Sequence, residues 1–427
     1  MADVTGGVGR EEAERAPRTW GERLRYIGPG FVVAATGVGA GDMVSSLSAG
    51  TNFGTVLIWA IVIGAILKYV LTEGLGRWYM ASGTTILEGW RSLGLWASLY
   101  FVIYLLIVTF VFGGAVISAS ALATTAMFPG VMPLWAWAVL HGIFGFVVIG
   151  IGRYRLFERI MEFFVGLMFV TVVGLAIMLS PDLGELALGI VIPRIPEGSV
   201  LYALAVIGGV GGTFTLASYP YWVRERGWSR PSWIPMMRLD LSVGYLFTAL
   251  FMVSMLVIGA EMLFARGEGI SGEEGLVALS DPIRERFGAL ASWFFLIGFW
   301  AAATSSILGA WNGAAYLFAD SVRTILRVPN ERAGEYLSET GLWFRLMLVW
   351  ITFPPMLLLT FGQPVLLVVV YAALGAFFMP FMAFTLLWLL NWRVDREYRN
   401  GWLSNALLVA AILLFVVVGV QEVAGAL

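Results

Sequence analysis

Two glycine-rich runs interrupt long hydrophobic segments of this chain, one near the start of each half of the sequence. The first is Gly37-Val38-Gly39-Ala40-Gly41-Asp42 and the second is Gly208-Gly209-Val210-Gly211-Gly212-Thr213. A helix in lipid must satisfy its own backbone hydrogen bonds, so an unwound stretch is tolerated only where it lines a cavity or is buried in protein. Matched interruptions in two halves are typical of inverted-repeat transporters, whose substrate binds near the bilayer midplane. The sequence therefore predicts a binding site where the two runs meet.

The composition indicates a membrane protein. Hydrophobic residues make up 59% of the chain, charged residues 13%, and the mean hydropathy is +0.85, so apolar surface exceeds what a soluble core can bury. We expect the lipid bilayer as the surrounding partner and no obligatory protein partner. A formal net charge of -2 argues against nucleic-acid binding, and the absence of cysteine excludes disulfides and thiolate metal sites. No nucleophile with a neighbouring base is visible, so we expect no enzymatic activity and no cofactor.

Eleven apolar runs are long enough to cross a bilayer about 30 Å thick as helices. Arginine clusters precede the first run and fall in every second connection, which places the N-terminus in the cytoplasm and the C-terminus outside. We expect a multi-pass protein of the cell inner (plasma) membrane. The runs lie at 27–49, 54–76, 95–123, 131–152, 158–180, 199–223, 236–264, 287–318, 341–361, 363–391 and 401–424.

An odd number of spans in each half predicts that the second half inserts upside down relative to the first, as inverted repeats do. The predicted division has four parts. They are a cytoplasmic tail at 1–22, a first repeat of five spans at 23–180, a second repeat of five spans at 181–392, and an eleventh span at 393–427.

The first span resembles the opening of the NRAMP divalent-metal transporters. The resemblance rests on Gly28-Pro29-Gly30-Phe31, on Val38-Gly39-Ala40-Gly41-Asp42 and on Ser48-Ala49-Gly50-Thr51-Asn52-Phe53-Gly54. Most of the chain fits the plan of that family, an all-α, LeuT-like 5+5 inverted repeat plus an eleventh transmembrane helix, with spans one and six discontinuous. The resemblance implies a secondary active transporter whose substrate is a small inorganic ion.

The metal-binding residues of that family are not retained. Its Asp-Pro-Gly-Asn aligns with residues 39–42, which are Gly-Ala-Gly-Asp here, and its Met-Pro-His aligns with 215–217, which are Thr-Leu-Ala. The glutamine of its tenth span aligns with Phe378. The third span of this chain has none of the acidic residues that form the proton route in that family. Because the soft donors are missing, we expect no transition-metal site.

Backbone amides and hydroxyls occupy the two runs instead. Half-helices that begin at a glycine-rich break present unpaired N–H groups and the positive end of a dipole, which suits a small oxyanion. The alternative is that the glycines only permit tight helix crossing. The candidate substrate-binding residues are Gly39, Ala40, Gly41, Asp42, Gly211, Gly212, Thr213, Thr215 and Ser218.

Two further features concern cations. Asp42 is the sole acid of the first span, and it either holds a cation or caps the second half-helix. In span eight, Ala301-Ala302-Ala303-Thr304-Ser305-Ser306 is similar to the Thr-Ser-Ser of sodium-coupled LeuT-type symporters. This likeness implies a sodium ion as the coupling ion, although Ser and Thr are also ordinary packing residues. The residues that would hold sodium are Ala301, Thr304 and Ser305.

The other polar residues of the spans have simpler explanations. We expect a structural hydrogen bond for His141, and we expect Lys68 and Glu73 to extend towards the nearer membrane surface. Ion pairs at an inner gate are considered for Glu162, Arg238 and Asp240.

Together these observations give sodium-coupled uptake of a small anion, such as bicarbonate, as the main hypothesis. The alternative within transport is a carrier of a divalent metal cation, Mg²⁺ or Mn²⁺, that uses Asp42 and backbone carbonyls. A third hypothesis is a membrane sensor or channel that does not accumulate its ligand.

Overall fold

A computed structural model of the protein describes residues 16–17, 19–264, 275, 277, 279–361 and 364–426. Residues 1–15 and 18 of the expected cytoplasmic tail lie outside the described residues. All regular elements of the described part are helices, as predicted.

The first half begins with the short helix α1 (Trp20–Tyr26), whose first turn is capped by Thr19, because its hydroxyl accepts the backbone N–H of Glu22 at 3.3 Å. A proline at its first position starts the next helix, and left-handed Gly83 (φ 68°) ends the fourth. The elements are α2 (Pro29–Gly37), α3 (Ala40–Phe53), α4 (Ile58–Ser82), α5 (Ile86–Leu93), α6 (Leu95–Met127), α7 (Leu134–Gly150), α8 (Tyr154–Met168), α9 (Gly174–Met178) and α10 (Leu183–Val191).

The second half repeats the pattern of a broken helix followed by long spans. Its elements are α11 (Val200–Gly209), α12 (Tyr219–Glu225), α13 (Ile234–Met262), α14 (Ser280–Phe287), α15 (Ala289–Ile325), α16 (Ala333–Tyr336), α17 (Leu342–Thr352), α18 (Pro364–Trp392) and α19 (Trp402–Ala426). A 3₁₀ helix, Phe214–Ser218, joins α11 to α12.

Within the described residues, eight helical stretches are long and apolar enough to cross a membrane. One of them, Gly41–Ser82, comprises α3 from Gly41 onward and α4, and therefore covers the end of the first expected span and all of the second. Two shorter apolar helices, Leu134–Gly150 and Phe377–Trp392, fall at expected spans four and ten. The all-α membrane fold with discontinuous spans one and six is confirmed, whereas the boundaries of the repeats and the orientation of the termini stay predictions.

Helix α15 lies at the centre of the bundle and packs against α6, α8, α17 and α2, while α13 packs against α2, α3 and α4. Small residues allow these helices to approach closely. A Cβ atom on Gly259 of α13 would lie only 2.5 Å from the carbonyl oxygen of Leu47 in α3. Contact between a glycine and the backbone of a neighbouring helix is the usual way in which membrane helices gain van der Waals attraction. This packing holds the two halves of span one against α13 and α15.

Candidate functional site

The first break is the two-residue interruption, Val38 and Gly39, between α2 and α3. Asp42 lies in the first turn of α3, and its Oδ2 accepts the backbone N–H of Gly39 at 3.1 Å. The carboxylate therefore satisfies one of the amides that the start of α3 leaves free, as the capping hypothesis predicts. Asp42 is buried, with 8% of its surface exposed. Its other oxygen, Oδ1, lies towards Gly209 at the end of α11.

The second break comprises residues 210–213, between the end of α11 at Gly209 and the 3₁₀ helix that precedes α12. Gly211 and Gly212 have φ angles of 77° and 80°, in the left-handed region. A side chain at either position would be strained, because this region is readily open only to glycine. The two glycines therefore set the path of the chain through the break.

The two breaks meet. A Cβ atom on Gly37 would lie 2.7 Å from the Cα of Gly211, so the backbones touch. A Cβ atom on Gly209 would lie 3.1 Å from Oδ1 of Asp42, which places the carboxylate beside the end of α11. The sequence prediction that both runs form one locality agrees with this geometry. Of the predicted site residues, Gly39, Asp42, Gly211 and Gly212 take part in these contacts.

Two of the other predicted site residues contact further helices of the bundle, and a third stays beside the second break. A Cβ atom on Gly375 of α18 would lie 2.7 Å from the Cγ2 of Thr213, so Thr213 packs against α18. Ser218 lies against Gly313 of α15, and its Oγ forms no hydrogen bond with a described residue. Thr215 stays close, since its Oγ1 would lie 2.6 Å from a Cβ atom on Gly212. The side chain of Ala40 is outside the described part.

Lys68 lies at the second break, so the prediction that it extends towards the membrane surface is wrong. The side chain is fully buried, and Nζ donates a hydrogen bond to the carbonyl oxygen of Gly212. The ammonium also lies 5.5 Å from the ring centroid of Phe415 and interacts electrostatically with Asp42. The sequence already indicated that Lys68 is unusual, because the only lysine of the chain lies in the middle of the apolar helix α4.

Hydroxyls of α15 contact the carbonyls of span one. Ser305 donates to the carbonyl of Ala35 at 2.8 Å, and the Oγ of Ser306 lies 3.1 Å from the carbonyl oxygen of Thr36. Thr304 is fully buried, and its hydroxyl forms no hydrogen bond with any described residue. Ala301, whose carbonyl completes the expected sodium site of three residues, is also fully buried. Sequence reasoning omitted Ser306 as a candidate, although it continues the same run of hydroxyls.

Charged residues connect helices at the end of the bundle where α2 begins. Glu73 is buried and binds Arg77 at 3.0 Å and Arg238 at 2.9 Å, so the expectation that it extends to the surface is wrong. Arg238 therefore forms an ion pair, and so does Glu162, whose Oε1 lies 4.0 Å from Arg226, while a role of either pair at an inner gate stays a prediction.

Asp240 makes a different contact from the considered ion pair. Its Oδ1 accepts the backbone N–H of Gly28 at 3.0 Å, and its Oδ2 accepts the hydroxyl of Tyr219 at 2.9 Å. The carboxylate thus fixes the start of α2 to α12 and α13. Because α2 and α12 are the halves of the broken helices at this end, Asp240 couples their positions.

Two other polar groups have local roles. His141 donates from Nδ1 to the carbonyl of Trp137 at 2.7 Å and accepts the indole N–H of Trp300 at Nε2 at 2.8 Å, which agrees with the expected structural role. Glu339, in the connection between α16 and α17, accepts a hydrogen bond from Asn312 of α15 at 3.0 Å. Burial raises the pKa of Glu339 to about 7.

The described residues contain no group of three or more His, Cys, Asp or Glu side chains that could hold a metal ion. Asp42 is thus the carboxylate that the two breaks present. Any ion bound there would depend on Asp42, backbone oxygens and water, which favours a hard ion over a soft one.

The apolar helices and the two broken spans that meet inside the bundle define a multi-pass helical membrane protein with two discontinuous spans. A family model described as natural resistance-associated macrophage protein-like, Nramp, matches residues 30–424. The chain belongs to the Nramp family, as its first span suggested.

Relatives in this family carry the names of metal transporters. Metal transporter Nramp2 of Oryza sativa subsp. japonica is 28% identical over 46% of this chain and 38% of its own length. Metal transporter Nramp3 of Arabidopsis thaliana is 23% identical over 73% of this chain and 63% of its own length. The divalent metal cation transporter MntH of Mycobacterium tuberculosis is 26% identical over 67% of this chain and 68% of its own length. The matched region therefore spans less than two thirds of the plant relatives.

Solved structures resemble the chain over nearly its whole length. A variant of the Eremococcus coleocola manganese transporter superposes with a TM-score of 0.77 at 15% identity, covering 96% of this chain and 90% of that one. Mhp1, a nucleobase-cation-symport-1 family transporter, gives a TM-score of 0.55 at 16% identity and covers 96% and 95%. At these identities the likeness concerns the fold, and it confirms the LeuT-like architecture.

Proposed function

We propose that this chain transports a divalent metal cation across the membrane and binds it between the first and second breaks. The observation that carries the proposal is Lys68, because a side-chain cation is already bound at this place by the carbonyl oxygen of Gly212 and the field of Asp42. A position that accommodates an ammonium ion presents negative charge and lone pairs. The names of the relatives, which are those of metal transporters, favour the same class of substrate.

The hydrogen-bond pattern favours a cation over an anion. An oxyanion would need free amides at the breaks, as the sequence hypothesis assumed. The amide of Gly39 instead donates to Asp42 at 3.1 Å, and Gly212 directs its carbonyl oxygen to Lys68. Two groups at this contact, the carboxylate of Asp42 and the carbonyl of Gly212, are thus oxygen acceptors, and oxygen acceptors are the ligands that hard metal cations take.

The donor set indicates a hard cation. Mg²⁺ keeps several waters and needs only one or two carboxylates, and Mn²⁺ also accepts carboxylate, carbonyl and water oxygens. The positions 215–217 supply no sulfur or imidazole. A partly hydrated Mg²⁺ or Mn²⁺ ion, with Asp42 as its carboxylate ligand, fits this set. Such an ion would bind both broken spans and so favour one arrangement of them over another.

The test is ion uptake by proteoliposomes in the absence of sodium. We expect uptake of Mn²⁺, measured with a dye enclosed in the vesicles, and competition by Mg²⁺. Asp42→Asn keeps an oxygen that can accept the amide of Gly39 but removes the charge, so we expect at least a tenfold loss of uptake with little change in thermal stability. Asp182→Asn is the matched control, because Asp182 accepts the amide of Gly184 at 2.7 Å and caps the exposed start of α10.

Sodium-coupled bicarbonate uptake is the second candidate, and one observation favours it. The hydroxyl of Thr304 is buried without a hydrogen bond to a described residue, beside the Ser305 contact with span one. A sodium ion there would supply the partner that this oxygen lacks. The relatives' names give this hypothesis no support. Bicarbonate flux that requires sodium, together with no flux of Mn²⁺ or Mg²⁺, would replace the metal proposal by this one.

A further inference from the structure

Phe415 brings the last helix of the chain, α19, to the second break. The side chain is buried, with 2% of its surface exposed, and the ammonium of Lys68 lies 5.5 Å from the centroid of its ring. A Cβ atom on Gly208 of α11 would lie 4.0 Å from the Cε1 of the same ring. The ring therefore lies beside both α4 and the half-helix that leads into the second break.

The ammonium of Lys68 is placed by two attractive groups. Nζ donates a hydrogen bond to the carbonyl oxygen of Gly212, and the ring of Phe415 is within the distance of a cation–π contact. Among the described contacts, the hydrogen bond of Nζ goes to Gly212 and not to Asp42, although the ammonium interacts electrostatically with that carboxylate. Oδ2 of Asp42 accepts the N–H of Gly39 instead. The ammonium is thus held near the carboxylate without a hydrogen bond to it.

We propose that Phe415 is a positioning residue, which holds the ammonium of Lys68 against the second break and so leaves the carboxylate of Asp42 to the transported cation. This inference rests on the proposed transport of a divalent cation. Without the ring, the ammonium would turn towards Asp42, because opposite charges attract strongly in a medium of low dielectric constant. An ion pair of Lys68 with Asp42 would then compete with the metal ion for its carboxylate ligand.

The proposal requires the aromatic face of Phe415 and not merely its volume. Phe415→Leu keeps a large apolar side chain but removes the negative face that attracts the ammonium, whereas Phe415→Tyr keeps that face. A cation–π contact in a desolvated place changes an equilibrium constant by about 3- to 30-fold. We therefore expect Phe415→Leu to raise the Kd for Mn²⁺ by a factor in this range, and Phe415→Tyr to keep the Kd of the unmodified protein.

The experiment is a double-mutant cycle on the purified full-length protein, with the Kd for Mn²⁺ measured by calorimetry in detergent at one pH. The cycle joins the unmodified protein, Phe415→Leu, Lys68→Met and the double variant. We expect Phe415→Leu to weaken binding when Lys68 is present and to leave the Kd unchanged when Lys68→Met is also present, because no ammonium is then left to hold. Leu408→Ala is the matched control, since it shortens another buried side chain of α19 and should lower thermal stability without a change in Kd.

An equal loss of affinity from Phe415→Leu in both backgrounds would show that the ring acts through packing alone, and would overturn the inference. An unchanged Kd in Phe415→Leu would also overturn it, and the metal proposal would stand. Absence of Mn²⁺ and Mg²⁺ binding in all four proteins would refute the proposed function and the inference together. If Lys68→Met does not fold, Lys68→Gln takes its place in the cycle. Equal affinities in Phe415→Leu and Phe415→Tyr would overturn the inference independently of that background.

Discussion

The contact between the two breaks can be tested with a single methyl group. In Gly37→Ala, the new Cβ would lie 2.7 Å from the Cα and carbonyl carbon of Gly211, whereas ordinary contact begins at 3.4 Å. The atoms that it meets belong to the backbone, so no side chain can rotate out of the way. The two breaks must therefore move apart by about 0.7 Å, or the helices that carry them must shift.

The expected penalty is that of overpacking, about 1–3 kcal/mol. Because about 1.4 kcal/mol corresponds to a tenfold change in an equilibrium constant, the arrangement with both breaks in contact should become about 5- to 150-fold less populated. The gain in helix propensity from glycine to alanine, about 0.5–1 kcal/mol, offsets only part of this loss. We therefore expect a lower unfolding temperature and a weaker apparent affinity for Mn²⁺.

The matched control is Gly208→Ala, two residues before the second break. The nearest heavy atom to its new Cβ is the Cε1 of Phe415 at 4.0 Å, so the same chemical change makes only an ordinary van der Waals contact. Thermal unfolding and initial rates of Mn²⁺ uptake should separate the two variants clearly. Equal stability and equal uptake in Gly37→Ala and Gly208→Ala would show that the breaks do not touch as described, and the reasoning on the site would fail.

Two more predictions concern groups outside this contact. Thr304→Val removes a buried hydroxyl that lacks a hydrogen-bond partner among the described residues. We therefore expect the folded protein to be stabilised by about 1 kcal/mol and to take up Mn²⁺ at the original rate without sodium. A destabilised variant that has lost a response to sodium would support a sodium site instead. Burial raises the pKa of Glu339 to about 7, so the folded protein holds this proton more tightly than the unfolded chain does. The protonated Glu339 therefore stabilises the fold fully below about pH 4.5, and this stabilisation is lost as the pH rises through about 7. The rate of hydrogen exchange in residues 329–341 of the unmodified protein, divided by the rate in Glu339→Gln at the same pH, should therefore increase between pH 6 and 8. A constant ratio would contradict the expectation. Exposed Glu335→Gln is the control, because Glu335 pairs only with the exposed Arg332 in the described contacts.

The positions of the spans and of their interruptions could be predicted from the sequence because both depend on local properties. Lipid requires about 20 apolar residues for each crossing helix, and glycine is the residue that releases the backbone from a helix. The left-handed angles of Gly211 and Gly212 and the end of α2 at Gly37 follow from such local constraints. The membership of the Nramp family was also evident from residues of the first span.

The character of the site was decided by contacts between residues far apart in the chain. The sequence shows that Lys68 lies in the middle of an apolar helix. The carbonyl that binds it belongs to Gly212, 144 residues further along the chain. In the same way, Ser306 meets span one across 270 residues, and Asp240 holds Gly28 across 212. A periodic pattern shows that a face of a helix is buried, but not which oxygen lies opposite. The sequence by itself determined a helical membrane fold with two broken spans. The tertiary structure decided that a buried ammonium lies where the two breaks meet, because charge and hydrogen bonding depend on distances that only packing sets.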